Sequence, residues 1–211
     1  MDRPATAADL AAGAAYVVEH DPAFGPLVRE LGPPVLREPA PEPFAALVRA
    51  ITFQQLAGRA AAAIHGRFVA LLPDGLTAPG VLALPEGAFR TAGLSGAKTA
   101  SIRDLAAKVA DGTVPLQRLG ELEDDEIVER LSAVRGIGRW TAEMFLIFQL
   151  GRADVWPVDD FGVRKGYAAL HRLPESPKPK ELHQLGDIYR PWRTVAAWYC
   201  WRAVDTILPQ A

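Results

Sequence analysis

Apolar residues recur along this chain at the three- and four-residue spacing of amphipathic helices, and no stretch alternates as a half-buried strand does. Residues 43–72 are predicted as two helices hinged near Gly58 or as one long helix, and residues 82–110 as two helices separated by the turn 93–96. The other predicted helices cover 8–20, 22–31, 124–133, 140–150, 161–170, 180–189 and 192–207. The pattern is typical of an all-α protein.

Proline marks the breaks between these helices. Residues 32–43 and 174–179 are proline-rich and predict irregular connections, because proline lacks the amide N–H of a regular helix. Asp21 followed by Pro22 predicts a helix start, since aspartate caps helix N-termini and proline suits the first turn. The chain shows no internal repeat.

The composition suits a folded protein, with 49% hydrophobic and 23% charged residues in a chain of 211. That length fits one domain or two small lobes that share a core. The net charge of −2 gives no overall indication of nucleic-acid binding. However, residues 130–204 hold 12 Lys and Arg against 7 Asp and Glu, whereas residues 1–129 hold 11 against 17. If nucleic acid binds, we expect it at the C-terminal half.

Several classes of protein are excluded by the residues that the chain lacks. A single cysteine, Cys200, excludes an internal disulfide framework and any four-cysteine zinc or iron–sulfur site. No run of 18 apolar residues predicts a membrane span, and the acidic N-terminal segment does not resemble a signal peptide. We therefore expect a cytoplasmic protein without membrane association. Four histidines lack metal-ligand spacing and are expected at the surface or in packing: His20, His65, His171 and His183.

The segment 131–165 carries the most informative pattern. Gly136 and Gly138 flank Ile137, and this arrangement predicts a sharp turn in which the isoleucine fills the gap between two helices. Such a turn directs backbone N–H groups at a helix N-terminus, where a phosphate oxygen binds without base preference. Arg135 and Arg139 add positive charge beside it. The alternative is an ordinary helical hairpin with glycine in its loop.

Two adjacent acids, Asp159 and Asp160, follow a stiff apolar segment around Pro157. Burying two carboxylates is costly, so their position suggests a chemical purpose. The alternative for Asp160 is that it caps the N-terminus of the predicted helix 161–170.

Three segments together resemble one known family: LSAVRGIGRWTA at the hairpin, DVWPVDDFGVRKG at the acid pair, and PWRTVAAWYCW near the C-terminus. They are similar to the helix-hairpin-helix (HhH-GPD) DNA glycosylases, and most of all to the 3-methyladenine DNA glycosylase II (AlkA-type) branch. The resemblance covers roughly residues 40–205 and is strongest at 131–166. It implies an all-α, two-lobed fold with a cleft between the lobes, lacking the extra N-terminal sheet domain of some relatives. We assign residues 40–115 to one lobe, and 1–39 with 116–211 to the other, which then contains the hairpin 131–145.

The resemblance also implies an activity. Such enzymes act in base excision repair, where they flip an alkylated purine out of duplex DNA and hydrolyse its N-glycosidic bond, leaving an abasic site. The family's essential aspartate falls on Asp160. An alkylated purine leaves without general-acid help, so the carboxylate is needed to stabilise the oxocarbenium-like sugar and to orient water. Asp159 is then expected to be a structural or capping partner.

The residue after the hairpin indicates a monofunctional enzyme. Relatives that cut the DNA backbone use a lysine there as a Schiff-base nucleophile, whereas this chain has Trp140. No iron–sulfur cluster and no required cofactor are expected. The expected partner is damaged double-stranded DNA, bound by a monomer.

Trp140 and Trp201 fall on positions that wall the base pocket in the family, and indole faces attract a cationic base. Gln54 and Gln55 match a glutamine pair near that pocket. The alternative interpretation is that they are two polar residues of a helix and cap nothing. Met144 replaces a pocket tyrosine of one branch, so we expect a less aromatic pocket. A tryptophan can instead belong to the hydrophobic core, and we expect this for Trp192 and Trp198.

The DNA-binding residues come partly from the hairpin and partly from the turn 94–98, where some relatives insert a leucine wedge and where Gly96 aligns here. As in relatives, the hairpin carbonyls of Ser132, Val134 and Gly136 are expected to bind Na⁺ or K⁺. The full expected DNA-binding set is Ser95, Gly96, Lys98, Arg135, Gly136, Ile137, Gly138, Arg139, Thr141 and Lys165.

Two rival functions stay open. The first is a glycosylase for a neutral lesion, such as hypoxanthine, ethenoadenine or an oxidised base. The second is a protein that binds damaged or junction DNA through the hairpin without catalysis. The acid at Asp160 argues against the second, since binding alone does not need it.

Overall fold

The structure is a computed structural model that describes residues 3–207. Within this range it contains twelve α-helices and no β-strand, which confirms the all-α prediction. None of the helices in this range is long and apolar enough to cross a membrane. The helices are α1 Ala7–His20, α2 Gly25–Leu31, α3 Pro43–Phe53, α4 Gly58–Val69, α5 Ala78–Ala83, α6 Glu86–Ala92, α7 Gly96–Ala110, α8 Asp124–Ser132, α9 Arg139–Phe148, α10 Phe161–Leu170, α11 Pro179–Leu185 and α12 Arg193–Ile207. Short 3₁₀ turns cover Pro22–Phe24, Leu116–Glu121 and Gly186–Tyr189.

The predicted helix boundaries differ from the observed ones mainly where two helices join. The stretch 43–72 forms two helices, with α4 beginning at Gly58. The stretch 82–110 was predicted to form two helices. It contains the end of α5 and all of α6 and α7, because a break at Leu84 separates α5 from α6. Leu84 is extended, as a residue that precedes proline tends to be. Asp21 caps the 3₁₀ turn that begins with Pro22, as predicted.

The chain divides into two compact units, which we call the terminal unit (residues 3–38 and 146–207) and the central unit (residues 39–145). The hairpin therefore lies in the central unit, so its assignment with 116–211 to the other lobe was wrong. The physical reason is local bonding, because the Arg135 N–H donates to Asp104 at 2.7 Å within the central unit.

The core of the terminal unit combines aliphatic side chains of α1 with aromatic side chains from α10, α12 and the segments between the helices. Phe24 packs edge-on against Tyr189 and Tyr199, with ring centroids 5.5 and 6.3 Å apart. Gly166 of α10 lies directly on the Cys200 carbonyl of α12, where even a methyl group would overlap the backbone. The absence of a side chain at Gly166 thus fixes the close approach of these two helices.

The core of the central unit supports the hairpin. Phe68 and Phe89 are fully buried and pack with ring centroids 5.3 Å apart. The hairpin adds Leu131, Val134 and Ile137, which are all buried. The prediction that an isoleucine fills the gap in the turn is confirmed.

A partly buried carboxylate, Asp21, joins distant segments of the terminal unit. Its Oδ2 accepts the Tyr189 hydroxyl at 2.5 Å and lies 2.7 Å from His171 Nε2. Burial acts to raise the pKa of Asp21, but the hydrogen bonds from Tyr189 and His171 outweigh it and hold the pKa below its ordinary value. The histidine predicted as a surface or packing residue therefore has a specific hydrogen-bond partner.

Asp21→Asn should lower the free energy of unfolding at pH 7 by roughly 1–3 kcal/mol, because an amide N–H replaces an acceptor that faces two donors. The folded-state pKa of Asp21 is depressed, so its stabilisation is present at neutral pH and is lost as pH falls below about 4. Urea unfolding at a series of pH values measures this. The stability difference between wild type and variant should shrink in acid, with the exposed Asp74→Asn as control. A difference that stays constant from pH 7 to 3 would contradict the assignment.

Candidate active site and nucleic-acid interface

The hairpin between α8 and α9 places its two glycines in different situations. Gly136 has a φ of +78°, a left-handed conformation that favours glycine, and a Cβ there would lie 2.5 Å from Ser101 Oγ. Gly138 precedes α9, and a Cβ there would meet nothing within 4 Å. The first glycine is thus required by the fold. The second leaves open space at a helix N-terminus, where a phosphate oxygen can approach backbone N–H groups.

One face of α7 holds the hairpin and the turn between α3 and α4. Lys98, Ser101 and Asp104 are three residues apart and share this face. Asp104 Oδ2 accepts the Arg135 N–H, and Ser101 lies beneath Gly136. The Arg135 N–H and Lys108 hydrogen bonds outweigh burial and lower the pKa of Asp104. The hairpin is therefore fixed by a charged acceptor.

Lys98 points into the protein rather than away from it. Its Nζ donates to the carbonyls of Thr52 at 2.6 Å and Gln54 at 2.8 Å, which close the C-terminal end of α3. Burial lowers the pKa of Lys98. The structure thus gives this lysine a capping role, and its expected phosphate contact stays a prediction.

The turn between α3 and α4 carries the predicted glutamine pair. Gln54 Nε2 donates to the Gly136 carbonyl at 2.9 Å, so this side chain ties the turn to the hairpin. Gln55 is exposed and has a φ of +56°, a left-handed conformation that is uncommon for a residue with a side chain. Such strain persists where surrounding contacts enforce it. The alternative of two polar residues inside a helix is therefore wrong, because Gln54 bonds to the hairpin and Gln55 adopts a turn conformation outside the helices.

The hairpin carbonyls of Ser132, Val134 and Gly136 were expected to bind a monovalent cation. Val134 O accepts the Ile137 N–H at 3.1 Å, and Gly136 O accepts the Gln54 amide. A carbonyl oxygen has two lone pairs, so each keeps one for a cation, and carbonyl oxygens are ligands of K⁺ in proteins. Carbonyl oxygens are suitable donors for Na⁺ or K⁺, and cation binding by this set stays a prediction. Among residues 3–207, no cluster of three or more His, Cys, Asp or Glu could hold a metal ion.

The acid site lies in the terminal unit, at the start of α10. Asp160 is buried and is the N-cap residue of this helix, with its Oδ1 accepting the Val163 N–H at 2.8 Å. The same oxygen accepts Trp201 Nε1–H at 2.9 Å. Asp159 is exposed, so the expectation that it serves as the capping partner was wrong. The N-cap alternative for Asp160 is correct, and a cap at a helix N-terminus also favours negative charge there.

The indole of Trp201 is held on more than one side. It stacks against Phe148 with ring centroids 5.7 Å apart, and the guanidinium of Arg37 lies 4.9 Å from the Phe148 ring. Trp201 remains half-buried. Sequence reasoning did not identify Phe148 or Arg37, because nothing local in the sequence links them to the acid pair.

The other predicted pocket residues lie in the central unit. Trp140 is 46% exposed, and Met144 lies one turn further along the same face of α9. Of the tryptophans expected in the core, Trp192 and Trp198 pack against the terminal core but are only partly buried. Trp156 is the more deeply buried one, and its Nε1–H donates to the Leu182 carbonyl at 2.7 Å.

The predicted DNA-binding residues separate into exposed and buried ones. The side chains of Thr141 and Ile137 are buried in the core of the hairpin, so any contact with DNA would use their backbone groups, and their place in the DNA-binding set stays a prediction. Leu94 is buried too, so the turn 94–98 presents no leucine wedge. Lys165 is partly buried, with its Nζ 5.9 Å from the Phe161 ring. The exposed members are Ser95, Gly96, Arg135, Gly136, Gly138 and Arg139.

A comparison with protein families identifies this arrangement. Residues 48–191 match the family described as HhH-GPD superfamily base excision DNA repair protein. The chain belongs to this superfamily. The HhH-GPD match takes in Gln54, the hairpin and Asp160, and it ends before Trp201.

Named relatives of this HhH-GPD protein include two from Schizosaccharomyces pombe. DNA-3-methyladenine glycosylase 1 is 40% identical over 164 residues, which cover 76% of this chain and 72% of that protein. The alkylbase DNA glycosidase-like protein mag2 is 32% identical over 188 residues, which cover 86% of this chain and 88% of that one.

Solved structures agree with this HhH-GPD fold. The S. pombe 3-methyladenine DNA glycosylase (Mag1) in complex with abasic DNA has a TM-score of 0.78 and 36% identity, covering 90% of this chain and 95% of that chain. The DNA-3-methyladenine glycosidase from Bacillus halodurans has a TM-score of 0.86 and 35% identity, covering 92% and 90%. The glycosylase fold predicted from the sequence is therefore confirmed.

Alanine at the two HhH-GPD hairpin glycines should separate folding from DNA binding. Gly136→Ala should lower the free energy of unfolding by about 1–2 kcal/mol through its positive φ and weaken binding to undamaged duplex. Gly138→Ala should leave stability within about 0.5 kcal/mol of wild type and still weaken binding, roughly three- to tenfold. Urea unfolding and fluorescence anisotropy measure the two effects.

The control for both variants is Gly66→Ala in α4, where a Cβ also meets nothing within 4 Å. It should leave duplex affinity unchanged. Wild-type affinity in folded Gly136→Ala and Gly138→Ala would remove the hairpin from the DNA interface.

Proposed function

We propose that this protein is a monofunctional DNA glycosylase that removes alkylated purines from duplex DNA by hydrolysis and leaves an abasic site. The observation that carries the proposal is Asp160, a buried carboxylate oriented by two N–H donors beside an indole. It lies in a chain that belongs to a family of base excision repair proteins. The names of the relatives, 3-methyladenine glycosylases, support the substrate class.

The chemistry starts from the leaving group. A purine alkylated at N3 or N7 carries a positive charge, so the glycosidic electron pair passes to N9 and the base leaves neutral. The deoxyribose is left with oxocarbenium character at C1′. The negative charge of Asp160 stabilises this cation electrostatically, and no proton has to be donated to the base.

Water then completes the reaction. Its oxygen bonds to C1′, and its proton passes to the Asp160 carboxylate or to solvent, giving an abasic site. Val163 N–H and Trp201 Nε1–H both donate to Oδ1, so they hold the carboxylate in one orientation throughout. A preoriented charge of this kind needs no rearrangement when the sugar cation forms.

The reaction stops at the abasic site because the hairpin provides no amine nucleophile. Helix α9 begins Arg139-Trp140 and contains no lysine. A lyase reaction would need a Schiff base between a lysine and the sugar aldehyde. The side chain at the relevant position is an indole, which supports the monofunctional assignment.

DNA binding uses the hairpin and needs no cofactor in this proposal. The N–H groups at the start of α9 contact a backbone phosphate, and the exposed Arg135 and Arg139 add charge. A bound Na⁺ or K⁺ on Ser132, Val134 and Gly136 carbonyls would supply positive charge beside that phosphate. The protein acts as a monomer in the cytoplasm, on damaged double-stranded DNA.

Asp160→Asn should lower single-turnover release of 7-methylguanine by roughly a hundredfold or more, because a neutral amide cannot stabilise the sugar cation. The asparagine carbonyl still accepts the Val163 N–H, so the fold and duplex affinity should persist. The exposed Asp159→Asn is the matched control, with a small expected effect. Equal losses in both folded variants would show that the wrong acid has been assigned.

Substrate charge should decide the rate. A cationic base gains from an indole face, by roughly 0.5–2 kcal/mol, and also has the weaker glycosidic bond. We therefore expect faster release of 7-methylguanine and 3-methyladenine than of neutral hypoxanthine. Single-turnover assays on duplexes with one lesion each measure this. Faster release of hypoxanthine than of either methylated purine would favour the rival function on neutral lesions.

A further inference from the structure

We infer that Gly162 is a positioning residue for the proposed reaction, because its missing side chain lets the Trp201 indole reach Asp160. A Cβ at Gly162 would lie 2.9 Å from Trp201 Cδ1 and 3.3 Å from Nε1. It would also lie 3.1 Å from Asp160 Oδ1, the oxygen that accepts the indole N–H. One added methyl group would therefore press on both ends of this hydrogen bond.

Neighbouring groups limit how the indole can yield to such a methyl group. Phe148 stacks against Trp201, and Arg37 lies over Phe148. The backbone beneath the indole is fixed as well, because Gly166 lies on the carbonyl of the neighbouring Cys200. Phe148 and the fixed backbone thus limit how the indole can move, and any shift of the ring away from the methyl group also moves its N–H relative to Asp160.

Glycine at this position is unfavourable for the helix itself. Gly162 is the second residue of α10, a place where glycine costs helix stability relative to alanine. Its φ is not in the left-handed region, so the backbone does not require it. The close approach of Trp201 to Asp160 supplies the reason for a residue without a side chain.

This arrangement gives Trp201 a second task besides facing the base. Its N–H and the Val163 N–H meet on the same carboxylate oxygen, so loss of either removes a restraint on the acid. The inference rests on the proposed function, since it concerns how Asp160 is held for base release. It adds that Gly162 and the indole N–H act through Asp160 and not through the substrate.

The first test compares Gly162→Ala with Gly87→Ala. Gly87 is likewise the second residue of its helix, and a Cβ there meets nothing within 4 Å. Gly162→Ala should reduce the maximal single-turnover rate on a 7-methylguanine duplex by about tenfold, with half-saturation changed less than about threefold. Trp201→Phe, which keeps a ring but lacks the N–H, should reproduce this loss. Gly87→Ala should match wild type.

The second test observes the hydrogen bond without any activity. In protein labelled with ¹⁵N-tryptophan, the Trp201 indole resonance is assigned by its loss in Trp201→Phe. It should shift in Gly162→Ala and in Asp160→Asn, but not in Gly87→Ala or Asp159→Asn. Circular dichroism confirms that each variant is folded.

The outcomes separate this inference from the proposed function. An unmoved indole resonance in folded Gly162→Ala overturns the inference, whatever the rate does. A shifted resonance with an unchanged maximal rate also overturns it, since the bond would then not position the acid. A wild-type protein that releases no base from any lesion duplex overturns the proposed function, while the resonance still decides whether Gly162 admits the bond.

Discussion

The oxygen Oδ1 of Asp160 accepts N–H groups from two helices, and the proposed chemistry of the terminal unit depends on that shared acceptor. One donor comes from the first turn of α10, and the other is the Trp201 indole on α12. The first is a local helix cap, whereas the indole reaches the oxygen because α10 presents glycine where α12 crosses it, at Gly162 and Gly166. The same contacts that pack the helices therefore orient the charge that base release requires.

Comparable contacts in the central unit hold the hairpin, which is the proposed DNA-binding element. The polar face of α7 fixes two segments at once, with Asp104 bonded to the hairpin and Lys98 to the turn that follows α3. Gln54 then joins the turn to the hairpin. A phosphate-binding hairpin needs N–H groups in a fixed direction, and a rigid helix beneath it supplies that direction.

Local patterns predicted most of the fold and part of the site. Helix positions follow from apolar periodicity, and the hairpin and Asp160 follow from short motifs. Contacts between distant segments did not follow, since Lys98, which was expected to contact phosphate, reaches a carbonyl 46 residues away. The burial of the Thr141 side chain did not follow either, because the sequence does not show which side of a short helix is buried. The role of Gly162 depends on where α12 lies, which no local pattern encodes.

The most direct test of the account is mass spectrometry of the bases that the wild-type protein releases from methylated duplex DNA. A preoriented carboxylate without a lysine nucleophile predicts free 3-methyladenine and 7-methylguanine, with DNA strands that stay intact until alkali is added. Release of no methylated base, or strand cleavage by the protein before alkali treatment, would contradict it.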